Sequence, residues 1–245
     1  MRYIFTIEYD GSAYYGWQRQ PGVRTVEEEI ENALSELYQQ PIDLAGQGRT
    51  DRGVHARAQT AHVDLPDRFP PDRILHALKG LLPRDIVIRN IEPCEDHFHA
   101  RFDASARSYS YHITTRQTAL GIHYVWFCYL QPDPEILKQT AEKVIGTHDF
   151  LNFCIPPVHE MQTTVSTVTE SRWDVVNNGE RLIYHITANR FLRHMVRRIV
   201  GSMVQTAAGK ISIEQFDSLL ASTPTKQKGF AAPPEGLILE KVHYR

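Results

Sequence analysis

Hydrophobic and polar residues alternate with period two from the first residues of the chain. The run Tyr3-Ile4-Phe5-Thr6-Ile7-Glu8-Tyr9 predicts a strand over 3–9, ended by a turn at Asp10-Gly11-Ser12. An aromatic and polar loop, Tyr14-Tyr15-Gly16-Trp17-Gln18-Arg19-Gln20, leads to Pro21-Gly22. Thr25 followed by Glu28 predicts a capping box, opening a helix whose stripe is Val26, Ile30, Leu34 and Leu37. The short, partly apolar Ile42–Gln47 and the alternating Ala58–Leu65 predict two strands with a charged connection between them. After Pro70-Pro71 comes a helix with Ile74, Leu75, Leu78 and Leu82, then a strand over Asp85–Ile91. The first half therefore reads β-α-β-β-α-β, a split βαβ pattern.

The second half repeats the theme with less symmetry. Ser108–Ile113 alternates as a strand, and Glu135–Ile145 is a helix ended by Gly146. Val165–Val176 and Arg181–Thr187 flank the hairpin signal Asn177-Asn178-Gly179. Phe191–Ala208 predicts a long helix with the stripe Leu192, Val196, Ile199 and Met203, and Arg193 and Arg197 one turn apart on the adjoining face. A short helix over Ile213–Leu220 and a strand over Leu237–Val242 complete the chain. No sequence repeat is visible, yet the element order predicts two related halves, 1–103 and 104–245. The fold class expected is α+β, two α/β halves with mostly antiparallel sheets meeting at a cleft.

Composition changes this picture little: 245 residues, 42% hydrophobic and 23% charged, with a net charge of −2. The distribution of charge says more. Residues 1–100 carry 11 Lys/Arg against 16 Asp/Glu, and residues 101–245 carry 16 against 13. Arg181 to Ile213 holds no acid, while Arg181, Arg190, Arg193, Arg197, Arg198 and Lys210 supply six positive charges. Such a stretch is either a solvated helix face or a surface for a phosphate backbone. Cys94, Cys128 and Cys154 are odd in number and far apart, offering neither a disulfide framework nor a zinc knuckle. The N-terminus has no signal-peptide core, and the longest apolar run, Tyr124–Leu130, is too short to span a bilayer. A cytoplasmic protein is expected.

The densest chemistry lies in Gly48-Arg49-Thr50-Asp51-Arg52-Gly53-Val54-His55-Ala56, with one carboxylate, two guanidiniums and an imidazole in nine residues. Glycines at 46, 48 and 53 let such a connection turn sharply and approach a ligand. The same residues also suit a plain turn in which Asp51 pairs with a neighbouring arginine. Asp51 stands where a dinucleotide fingerprint needs its third glycine, and no Gly-Lys-Ser/Thr ending makes a phosphate loop. It is also the only acid between Asp43 and Asp64, which disfavours a glycosidase with two flanking carboxylates. A lone carboxylate needs a cation to stay ionised and aimed, and Arg49 and Arg52 are local candidates.

Other constellations are less decided. His97-Phe98-His99-Ala100-Arg101-Phe102 contains a His-x-His pair but no third ligand at zinc spacing, so no metal is expected. It is either an aromatic and basic hinge that touches RNA or a core segment. Tyr109 and Tyr111 share a strand face and serve either packing or stacking on an extruded base.

Taken together, the motifs resemble the tRNA pseudouridine synthase A family over nearly the whole chain. Tyr9-Asp10-Gly11 with Gly16-Trp17-Gln18 is similar to its first strand and loop, and Gly48–Ala56 to its catalytic motif. Phe98-His99-Ala100-Arg101-Phe102 is similar to its tRNA-contacting segment, and Ala106–Tyr111 to its arginine-tyrosine motif. Phe191-Leu192-x-x-Met195-Val196-Arg197 is similar to its helix motif. The chain departs from the pattern at Gln47, at Arg52, and near Ser166, where an arginine is expected.

The resemblance implies a pseudouridine synthase fold with a central catalytic cleft and Asp51 as the catalytic residue. Tyr109, Arg197 and Arg49 would bind substrate, with Tyr109 stacked on the uracil and Arg197 paired with Asp51. Residues 98–102 and Arg193 would contact RNA. It further implies a cofactor-free isomerisation of uridines 38–40 in the tRNA anticodon stem-loop by a homodimer. The competing classes are an RNA-binding protein without catalysis, a nucleoside glycosidase, and a synthase acting on another RNA.

Overall fold

A computed structural model describes residues 1–156, 163–221 and 228–245. Two compact units emerge, one of Met1–Ser105 with Ile238–Arg245, the other of Ala106–Leu237. The last residues of the chain thus return to the first unit, a step that chain order does not show. Among the described residues no helix is long and apolar enough to cross a membrane.

Unit 1 contains β1 (Arg2–Tyr9), α1 (Val26–Tyr38), β2 (Leu44–Gly46), β3 (His55–Asp64), α2 (Pro71–Leu81) and β4 (Ile86–Cys94), in the order expected. In β1, Tyr3, Phe5, Ile7 and Tyr9 are buried on one face, as the alternation requires. Strand β3 is its structural axis. One edge pairs antiparallel with β1, whose other edge takes β4. The opposite edge of β3 pairs antiparallel with β2 at residues 61–63 and parallel with β10 (Leu237–Tyr244) at His55 and Ala56. Between Ile7↔Gln59 and Tyr9↔Ala56 the register slips by one residue, a bulge that bends the end of β3.

Helix α1 starts where expected but not by the expected device. Thr25 makes no side-chain cap, and its hydroxyl is buried without a partner among the described residues. The first amides of the helix go instead to the loop before it: Val26 N–H donates to the Gly16 carbonyl (3.3 Å) and Glu27 N–H to that of Trp17 (3.0 Å). Glu27, Glu28 and Glu29 complement the helix dipole. Tertiary carbonyls have displaced the local capping box.

Unit 2 carries β5 (Ala104–Thr114), which begins in unit 1, and β6 (Trp126–Phe127), α3 (Pro134–Val144) and β7 (Gly146–Asp149). β8 (Val165–Val176), β9 (Arg181–Ala188), α4 (Met195–Ala207) and α5 (Ile213–Leu220) follow. Its sheet runs β5-β9-β8-β7, antiparallel throughout, with β6 parallel on β5. The predicted hairpin forms, with Asn177, Asn178 and Gly179 all at positive φ (52°, 52° and 91°).

The predicted helix over 191–208 is shorter than its periodicity. His194, at φ +66°, breaks the path, and α4 begins at Met195. Phe191 packs edge-on against Tyr109 instead, with ring centroids 5.0 Å apart. Leu192 and Arg193 therefore precede the helix, and Arg193 shares no helix face with Arg197. The stripe that remains, Val196, Ile199 and Met203, is buried.

Residues 229–232 lie along α4, and 233–236 pass on to β5. Ala232 N–H donates to the Arg197 carbonyl (2.9 Å), and a Cβ at Gly201 would stand 2.2 Å from the Phe230 carbonyl oxygen. Helix propensity favours alanine over glycine at position 201 by about 1 kcal/mol. The backbone clash outweighs it, because overpacking costs about 1–3 kcal/mol and here meets a main-chain oxygen. Gly201→Ala is expected to lower the thermal midpoint by about 2–8 °C, measured by calorimetry. A rise would show that the segment is free to move aside.

Candidate active site

Asp51 lies on the loop that closes the β2–β3 hairpin. The register of that hairpin (Leu44↔Val63, Ala45↔His62, Gly46↔Ala61) leaves residues 47–54 as the connection. The loop is fastened on both sides of Asp51. Before it, the Thr50 carbonyl accepts from Trp17 N–H (3.2 Å), and the Thr50 hydroxyl meets the Tyr9 hydroxyl at 2.7 Å. After it, Val54 N–H donates to the Asp51 carbonyl (3.1 Å), and Gly53, at φ +77°, donates its N–H to the Tyr14 carbonyl (3.4 Å). At its entrance the fully buried Gln59 donates its side-chain amide to the Gly48 carbonyl (3.1 Å).

Close backbone approach completes the fastening. A Cβ at Gly11 would lie 2.0 Å from the Val54 oxygen, and one at Gly16 would lie 2.6 Å from the Thr50 oxygen. His55, buried at the start of β3, brings Nδ1 within 3.1 Å of both Gly11 N and Asp10 Oδ1. Asp51 itself is half-buried, Arg49 is exposed, and the Arg52 guanidinium lies over the Tyr15 ring at 4.2 Å. Arg49 also reaches the field of Glu27. Burial, with the nearby Glu31, holds that carboxyl above the usual carboxylate range, against the opposing Arg19 N–H (2.8 Å), Trp17 indole N–H (3.1 Å) and Arg49 charge.

The segment 98–102 is held on unit 1 through His62. Its Nδ1 accepts from Ala100 N–H (3.2 Å), and it also hydrogen-bonds to the Ala45 backbone. Burial first, then His99 and Arg2, hold His62 below the usual histidine range, against the opposing pull of Asp64 and that backbone bond. Rings continue outward: His62 to His99 at 4.6 Å, His99 to Phe102 at 4.3 Å, with Phe102 75% exposed. Arg101 lies beside Phe102 at 5.8 Å. Phe98 is half-buried against Tyr244 at 5.2 Å. Ala100, expected at an RNA contact, is fully buried, and Tyr244 donates its hydroxyl to the Ala100 carbonyl (2.8 Å). Its part is to seat the exposed residues around it.

In unit 2, Tyr109 and Tyr111 share a face of β5, as the alternation required, but differ in burial. Tyr111 is fully buried and donates its hydroxyl to the Pro233 carbonyl (2.6 Å), whereas Tyr109 is half-buried. Arg197 donates Nε–H to the Ala232 carbonyl (2.8 Å), and its charge reaches Tyr111. The segment 232–233 thus ties the arginine of α4 to the tyrosine face of β5.

The six basic residues of 181–213 do not form one face. Arg198 donates to the Gly229 carbonyl (3.0 Å), as Arg197 does to Ala232, so both are partly spent on main chain. Arg181 starts β9 and Lys210 lies beyond the far end of α4, a helix about 20 Å long at 1.5 Å per residue. Arg193 is exposed and Arg190 half-buried near the start of α4. Near Ser166, where an arginine was expected, the buried serine hydroxyl binds the Arg190 carbonyl (2.6 Å) and the Asn189 side chain (3.0 Å).

Sequence reasoning missed Gln59, His62 and the Tyr9–Thr50 bridge. A polar residue on the apolar parity of Ala61, Val63 and Leu65 was the available signal for Gln59, whereas His62 stands on the opposite parity, where a polar residue is ordinary, and its burial had no such signal. The bridge joins residues 41 apart in sequence and has no local signature.

The family model of tRNA pseudouridine synthase matches residues 6–103 and 140–245, which includes every residue of the Asp51 loop and of α4. A tRNA pseudouridine synthase A of Bacillus subtilis is 38% identical, covering 100% of this chain and 99% of its own length. Those of Porphyromonas gingivalis (37%; 99% and 97%) and Pelodictyon phaeoclathratiforme (39%; 98% and 98%) are as similar. Identity at this level across the full length, together with the matched model, shows that the chain belongs to the tRNA pseudouridine synthase family.

Proposed function

We propose that this chain isomerises uridine to pseudouridine at positions 38–40 of the tRNA anticodon stem-loop, with Asp51 as its catalytic carboxylate. The observation that carries the proposal is the fastening of the Asp51 loop on both sides, within a segment that the family model matches. A rigidly held, half-buried carboxylate is what chemistry at a single glycosidic bond requires. The reaction breaks N1–C1′, turns the uracil and joins C5 to C1′; the C5 proton is lost and N1 gains one. It is redox-neutral and needs no cofactor. Asp51 serves it as a nucleophile or as a base.

Tyr109 and Arg197 are the substrate-binding residues of unit 2, with Tyr109 stacking on the uracil. Arg49 is their counterpart on the Asp51 loop. The target base must leave its stack, which costs a few kcal/mol, and phosphate and stacking contacts at Arg101, Phe102 and Arg193 offset it. The enzyme would act in the cytoplasm as a homodimer. Support for the dimer is the stretch 117–132 of unit 2, which holds no Asp, Glu, Lys or Arg and in which Leu120 is 85% and Tyr129 80% exposed, with Ile122, Tyr124 and Phe127 also exposed. A surface of that chemistry suits a protein partner better than a polyanion.

Asp51→Asn is expected to abolish pseudouridine formation on a tRNA carrying a uridine at position 39, while the tRNA Kd stays within about twofold because phosphate contacts dominate affinity. Free uracil as product would make the protein a glycosidase instead. Arg197→Met, in the same assay, is expected to cut turnover sharply. Phe102→Ala should weaken tRNA binding by about 5- to 150-fold, the range of one lost base–aromatic stack. Arg101→Ala should reduce the salt slope of binding by about one. Unchanged affinity and slope would remove the 98–102 segment from the RNA interface. Leu120→Asp with Tyr129→Asp should yield monomers in sedimentation velocity; an unaltered dimer would place the interface elsewhere.

A further inference from the structure

The residue immediately before Asp51 is held at both its side chain and its main chain. The Thr50 hydroxyl meets the Tyr9 hydroxyl at 2.7 Å, and the Thr50 carbonyl accepts from Trp17 N–H at 3.2 Å. Tyr9 and Thr50 are both buried, so the bridge is shielded from water. Threonine is β-branched, and a hydrogen bond on its Oγ1 selects one χ1 well and limits the backbone beside it.

The tyrosine is fixed in turn. Its ring lies 5.9 Å from that of Trp17, which covers Gly46 so closely that a Cβ there would stand 2.4 Å from the indole nitrogen. The Trp17 indole N–H is itself held by Glu27 (3.1 Å). Tyr9 also sits at the register slip of β1 against β3, where the strand bends toward the loop.

We propose that Tyr9 and Thr50 are positioning residues for Asp51: their hydroxyl bridge fixes the direction in which the carboxylate leaves the loop. The proposal rests on Asp51 being the catalytic group. Neither hydroxyl is given a step in the chemistry. A misplacement of the reacting group by about 1 Å costs on the order of 100-fold in rate, which sets the scale of the effect.

The test compares pseudouridine formation on tRNA by the wild type, Asp51→Asn, Tyr9→Phe, Thr50→Val, the double variant Tyr9→Phe/Thr50→Val, and Thr50→Ser. Tyr9→Phe and Thr50→Val should each lower kcat by about 10- to 100-fold with KM for tRNA unmoved. The double variant should lose no more than the worse single one, because both remove the same bridge. Thr50→Ser, which keeps the hydroxyl, should restore most of the rate. Rates within twofold of wild type for Tyr9→Phe and Thr50→Val would overturn the proposal. So would additive losses, a Thr50→Ser as slow as Thr50→Val, or losses that follow a fall in Tm or tRNA affinity. Should Asp51→Asn retain full activity, the catalytic assignment falls and the positioning proposal with it. An inactive Asp51→Asn beside an unaffected Tyr9→Phe and Thr50→Val overturns the positioning role alone.

Discussion

The backbone of residues 11–17 lies against the backbone of the Asp51 loop, and unit 1 is arranged to permit that contact. Side chains cannot come between the two segments, because a Cβ at Gly11 or Gly16 would fall within 2.0 or 2.6 Å of a carbonyl oxygen of the loop. The contact lets main-chain groups do the fastening: Trp17 N–H to Thr50, and Gly53 N–H to the Tyr14 carbonyl. The same segment uses its Gly16 and Trp17 carbonyls to cap α1. One stretch of chain thus satisfies the open end of a helix and fastens the Asp51 loop, so the two are tied to the same backbone.

Unit 2 solves a similar problem by similar means. The segment 229–232 is pressed on α4 at Gly201, where only hydrogen leaves room for the Phe230 carbonyl. Its carbonyls reach Arg197 and Arg198, and that of the next residue, Pro233, reaches Tyr111. Main-chain acceptors orient the two arginines, and a cation whose guanidinium is partly tied to carbonyls is aimed rather than steered by bulk charge. This explains why a stretch with six positive charges does not make one basic face. Charge on the 98–102 segment of unit 1 is arranged differently. Burial, with His99 and Arg2, holds His62 below the usual histidine range, and its Nδ1 accepts from Ala100 N–H, while Phe102 stands exposed further out.

Several elements were legible because their causes are local. Period-two alternation marked β1, β3, β8 and β9, and Asn177-Asn178-Gly179 marked the turn through its positive φ angles. Where local causes compete with tertiary ones, the tertiary ones decided. Thr25 had the residues for a capping box, yet carbonyls from the preceding loop took the amides. Leu192 extended the stripe of α4 backward, yet the left-handed His194 and the packing of Phe191 on Tyr109 make the helix begin only at Met195. Ala100 was read with its aromatic neighbours, but burial makes it an anchor.

The sequence by itself determined the order of the elements, the family resemblance and the identity of the chemical groups, because residue type, periodicity and motif spacing are properties of the chain alone. It placed Asp51 on a connection between strands and Tyr109 on a strand face. Only the tertiary structure decided which groups hold those residues. The Tyr9–Thr50 bridge, the Gln59 amide on Gly48 and the return of β10 to β3 join residues far apart in the chain. No local pattern encodes such pairs, since each depends on where packing brings two distant segments into reach.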